Sequence, residues 1–86
     1  MVIFVVTKKG FKEMEPIVMS GVYPVWVGAS VITQKHLDIL RESNIDITDF
    51  SYVINPENDQ ELDVALSTIA EHHPGERVWV ECKPKI

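Results

Sequence analysis

The segment Val2 to Val6, VIFVV, constrains the fold of this chain more than any other, because it is apolar on both faces that a β-strand presents. Val2, Phe4 and Val6 fall on one side and Ile3 and Val5 on the other, so the strand needs cover on both sides and belongs inside a sheet. Val25 to Val27, VWV, repeats the pattern. Strands of this kind alternating with helical stretches predict a mainly parallel sheet, because each parallel pair needs a crossover long enough to hold a helix.

Helical spacing follows the second strand. Gly28-Ala29-Ser30 turns the chain and Thr33 caps a helix in which His36, Leu37, Ile39, Leu40 and Ser43 share one arc, with Asn44 closing it. The longest helix opens in Asn55-Pro56-Glu57-Asn58-Asp59. There Asn58 and Glu61 have capping-box spacing, and Leu62, Ala65, Leu66, Ile69 and Ala70 form the stripe that follows. Pro74-Gly75 stops it just after His72 and His73. Between these helices a third strand is expected near Phe50 to Ile54, at an edge. A last strand is expected over Arg77 to Cys82, with Val78, Val80 and Cys82 on one face and Trp79 and Glu81 on the other.

The first crossover is ambiguous. Phe11, Met14 and Val18 fit a helical face, whereas Pro16 lacks the N–H a helix interior uses, so a short or kinked helix restarting at Pro16 and ending at Gly21 is expected. A hairpin turning at Lys8-Lys9-Gly10 is the alternative. The whole, residues 1–86, reads as a single small three-layer α/β/α domain with about four strands.

A chain of 86 residues buries only roughly 60 to 65% of its unfolded surface. So small a sheet leaves apolar edge area over, which predicts a homodimer with Tyr23, Trp79 and the last strand in contact. The net charge of −5 speaks against binding nucleic acid over a wide surface. One cysteine cannot form an internal disulfide, and VIFVV is too short for a membrane span or a signal sequence, so a cytoplasmic protein without a membrane partner is expected.

In an open parallel sheet the loops after the strands share one rim, where ligands bind. Lys8, Lys9 and Lys12 follow the first strand, Lys35 the second, and Lys83 and Lys85 the last, so every lysine maps to that rim and the two arginines, Arg41 and Arg77, to the other end. Lys35 and His36 stand in the first turn of a helix, where the macrodipole disfavours cations unless an anion is near. Lys8, Lys9, Ser30, Thr33, Lys35 and His36 are therefore the candidate cradle for a small anion or nucleotide. The acids on the same rim, Glu13, Glu15, Glu57, Asp59 and Glu61, could instead pair with these lysines.

Glu81-Cys82-Lys83 at the end of an apolar strand resembles the second half of the signature of the PD-(D/E)xK nucleases. The resemblance implies a metal-holding role for Glu81 and a water-positioning role for Lys83. That family also carries an upstream metal-binding Asp on a neighbouring strand. Here the upstream candidates, Glu57 and Asp59, fall at a helix start instead.

His72 and His73 point about 100° apart on a helix and cannot chelate one ion well. His36 and Cys82 read as core residues, and Asp46 and Asp49 as loop residues. No cofactor or metal site and no complete catalytic set is expected. The leading expectation is a non-catalytic protein-interaction or regulatory module that self-associates; the second is the small-anion binder, and the third the metal-dependent nuclease.

Overall fold

The computed structural model describes residues 1–81. Strands β1 (Val2–Val5), β2 (Val25–Val27), β3 (Ile47–Asp49) and β4 (Val78–Val80) alternate with helices α1 (Lys8–Met19), α2 (Gln34–Glu42) and α3 (Asp59–His72). All pairings are parallel, in the order β3-β2-β1-β4. The small α/β domain expected from the alternation is present, and its sheet is parallel throughout.

The two-faced apolar pattern of β1 accounts for the layers. Ile3 and Val5 pack with Phe11 and Val18 of α1 and Leu37 and Leu40 of α2. Val2, Phe4 and Val6 pack on the opposite face with Trp26, Phe50 and the α3 residues Ala65 and Ile69. The first two crossovers step from β1 to β2 to β3 in one direction, and the third returns across the sheet to β4. Right-handed connections put helices on opposite faces when the direction reverses, so α1 and α2 lie on one side and α3 on the other. The reversal leaves a crevice between the carboxyl ends of β1 and β4.

Two segments differ from the sequence expectation. The first crossover is one unbroken helix containing Pro16, capped by the Thr7 hydroxyl, which accepts from the Gly10 N–H; there is neither a restart at Pro16 nor a hairpin at Lys8-Lys9-Gly10. Pro16 is exposed, so the carbonyl it leaves without a helical donor can turn to water, and burial of Phe11 and Val18 holds the helix through it. The third strand is Ile47–Asp49 rather than Phe50 to Ile54. The latter residues are rich in strand-forming types, but Phe50 and Ile54 bury their side chains under α3 while Tyr52 and Val53 are exposed, and the ladder to β2 ends with the Phe50 N–H bonded to the Val27 carbonyl.

The helix ends follow their caps. Thr33 accepts from the His36 N–H, and Asn58 accepts from Gln60 and Glu61 N–H. Glu61 reaches back to the Asn55 N–H instead of its own cap, so only half of the capping box forms. On α2, Leu37 and Leu40 are buried, while Ile39 and Ser43 from the expected arc are exposed. The Arg41 guanidinium donates to the Ile47 carbonyl on the outer edge of β3 and pairs with Asp49 at 3.2 Å.

Candidate functional site

The carboxyl ends of the strands carry two structures. The first is at the crevice between β1 and β4. Thr7 begins α1, and the first turn of that helix contains Lys8 and Lys9 and no acid, an arrangement its dipole disfavours. The missing negative charge comes from the other end of the chain. Glu81, just past β4, accepts the Val6 N–H at 2.9 Å and the Thr7 N–H at 3.0 Å through one carboxylate oxygen, and the Thr7 hydroxyl through the other. Gly10 makes room for this, because any Cβ at position 10 would overlap the Glu81 carboxylate. The crevice where open α/β sheets often bind phosphate is therefore filled by the protein's own carboxylate.

The second structure is an open cleft of about 800 Å3 on the other side of α1, between that helix, the loop after β2, the start of α2 and the end of β3. Phe11, Val31, Leu37 and Phe50 supply apolar wall, Lys8, Lys12, Ser30, Thr33 and His36 supply cations and polar donors, and the acids Glu15 and Asp49 also reach the lining. The His36 ring stands edge-on to Phe11 at 5.5 Å between centroids. Ser30, on the loop, has φ 67°, in the left-handed region that favours glycine. A serine held there at a cleft mouth is strain maintained by its surroundings.

Of the six candidate ligand residues, the fold brings Lys8, Ser30, Thr33 and His36 to this cleft; Lys9 and Lys35 are exposed and do not line it. Thr33 already uses one lone pair of its hydroxyl as a helix cap and keeps its O–H to donate. Among the described residues Lys8, Lys9, Lys12 and Lys35 enter no ion pair, although Glu15 also lines the cleft and Glu13 lies nearby on α1. Lys12 is the cleft cation absent from the candidate set. Its place one turn after Lys8 on the same helix would have identified it once the hairpin alternative was set aside.

The remaining candidates are accounted for locally. His72 and His73 flank the Trp26 ring, at 5.2 and 6.0 Å between centroids, rather than converging on an ion. The His72 Nδ1 lies 2.9 Å from the Thr68 carbonyl, and His73 stands 3.4 Å from Glu76. Among the described residues no group of three or more His, Cys, Asp or Glu side chains is arranged to hold a metal ion. Glu81 of the nuclease-like triplet spends its carboxylate on the β1–α1 turn, and Cys82, Lys83 and Lys85 lie outside the described residues. Tyr23 is half-buried against the core under α1 and α2, and Trp79 is 37% exposed on β4. Among the described residues no helix is long and apolar enough to cross a membrane.

The architecture defines a class, a small doubly wound α/β domain whose strand order reverses at β1. Beyond that class, no protein-family model matches the chain, and no curated protein or solved structure matches it.

Proposed function

We propose that this domain is a binding module for a small organic anion, taken up in the cleft between α1 and α2. The observation that carries the reading is the pair of lysines, Lys8 and Lys12, that enter no ion pair among the described residues and stand on the wall of a cleft of mixed polar and apolar lining at the carboxyl ends of the strands. Had Glu13 or Glu15 paired with Lys8 or Lys12, these two cations would be explained without a ligand. At about 800 Å3 the cleft has the capacity of a small-molecule site. Its chemistry suits a ligand with a phosphate or carboxylate at one end, for Lys8, Lys12 and the Thr33 hydroxyl, and a flat apolar body for Phe11, Phe50 and Val31. His36, beside Phe11, is the polar group at the boundary between these halves. The reading asks for no catalytic step. A single cysteine fits a reducing compartment such as the cytoplasm as the setting.

The test is thermal melting against a panel of inorganic phosphate, mononucleotides and aromatic carboxylates. A ligand at 100 times its dissociation constant adds about 2.7 kcal/mol, which moves the midpoint of a domain this size by roughly 10 to 20 °C. The expected result is a shift with an organic anion that Lys8→Glu and Lys12→Glu together abolish while the substituted protein without ligand still melts cooperatively. The absence of a shift across the panel, or a shift indifferent to both substitutions, overturns the proposal.

A further inference from the structure

The two edges of the sheet are treated differently. On β3, where Asp46 C=O and Phe50 N–H turn inward to β2, the outward Ile47 carbonyl is covered by Arg41, and Asp46 and Asp49 add charge. Charge and side-chain cover of this kind discourage pairing with another strand. On β4 the inward groups are the Arg77 carbonyl, bonded to Val2 N–H, and the Glu81 N–H, bonded to the Phe4 carbonyl. Backbone groups alternate along a strand, so Trp79 also faces β1, while the N–H and C=O of Val78 and Val80 face outward. Among the described residues nothing pairs with those outward groups. Trp79 belongs to neither core cluster, and its side chain lies on the face that Ile3 shares.

The sequence around this edge is Arg77-Val78-Trp79-Val80-Glu81, and it is complementary to itself when reversed. We propose that β4 is a homodimer interface in which two copies pair antiparallel about a two-fold axis at Trp79, joining two four-stranded sheets into one of eight. This register places Val78 opposite Val80 of the second copy. Both residues have outward backbone groups, so each such pair exchanges two hydrogen bonds. The Trp79 side chains then meet as the non-hydrogen-bonded pair, the closer of the two pair types. Arg77, which enters no ion pair among the described residues, falls opposite Glu81 of the second copy. Its guanidinium meets the carboxylate oxygen that accepts only the Thr7 hydroxyl and so keeps acceptor capacity. An axis between residues would set outward groups against inward ones, and none of these pairings would form. The occupant is therefore a second copy of this chain, because an isologous contact needs this self-complementarity and another partner does not.

The test is sedimentation equilibrium of the wild type, Trp79→Lys and Val80→Pro across two decades of concentration, with melting curves to verify folding. Proline at 80 removes a donor that faces away from β1, so the internal ladder keeps its bonds and the fold is retained. The wild type is expected to dimerise and each variant to associate at least about tenfold more weakly. Amide exchange localises the contact: in the dimer the Val78 and Val80 amides are protected, and in Trp79→Lys they exchange freely while the inward Trp79-position amide stays protected. A wild type monomeric throughout overturns the proposal. So does a dimer that survives both substitutions, or one whose Val78 and Val80 amides exchange freely.

Discussion

Replacing Gly10 by alanine in the middle of a helical first turn would ordinarily stabilise the protein, since alanine is favoured over glycine in a helix by up to about 1 kcal/mol. Here the new methyl would occupy the place of the Glu81 carboxylate. The end of a glutamate side chain can swing away at little steric cost, but doing so releases the N–H groups of Val6 and Thr7 and the Thr7 hydroxyl, and removes the negative charge from the start of α1. Bonds to a charged acceptor are worth about 1.5 to 3 kcal/mol each in a buried setting. Water reaches this half-buried turn and replaces part of them, so about 2 kcal/mol is expected for the group, the dipole contribution included. Glu81→Ala should thus cost about 2 kcal/mol, and Gly10→Ala alone, after its helix gain, about 1 kcal/mol. In the Glu81→Ala background there is no carboxylate to displace, and Gly10→Ala should become stabilising by about 0.5 to 1 kcal/mol. The assay is urea unfolding of the four proteins of the cycle, followed by circular dichroism, with m-values compared to verify that compactness is unchanged. The change of sign is the diagnostic. If Gly10→Ala stabilises the wild type as much as it stabilises Glu81→Ala, the carboxylate does not occupy that space and the account of the crevice is wrong.

Two further outcomes follow from packing and backbone geometry. Ile69→Ala empties a fully buried position where α3 meets β1 and should cost about 2 to 5 kcal/mol, read by the same unfolding assay; a loss below 1 kcal/mol would mean that α3 is not anchored there. Ser30→Gly should raise stability by about 0.5 kcal/mol, the reverse of glycine's usual cost, because the left-handed strain at φ 67° exceeds the added entropy of the unfolded chain; a lower melting midpoint would refute it.

Glu81 also marks where sequence reasoning stops. Its spacing to Lys83 on a strand suggested a shared role for the two, and nothing local connects it with Thr7, 74 positions away. The only local sign is a helix start carrying Lys8 and Lys9 with no acid, and Pro16 masks it by interrupting the helical pattern. The third strand moved for a related reason. Phe50 to Ile54 has the residue types of a strand, but pairing belongs to whichever backbone reaches β2, and that was Ile47–Asp49.

By itself, the sequence determined the elements whose chemistry is local or strongly periodic. The two-faced apolar run of β1 required a central strand, the alternation with helices required a parallel sheet, and Thr33 and Asn58 set helix starts because capping needs only neighbours. Only the tertiary structure decided which charges are neutralised and which are not: it carried Glu81 to the start of α1, took Arg41 to the edge of β3, and left Lys8 and Lys12, beside Phe11 and His36, without an ion pair among the described residues. The difference is physical. Periodicity and capping act over one or two turns of chain, whereas ion pairing and cleft shape depend on through-space distances that are set only when distant segments pack together.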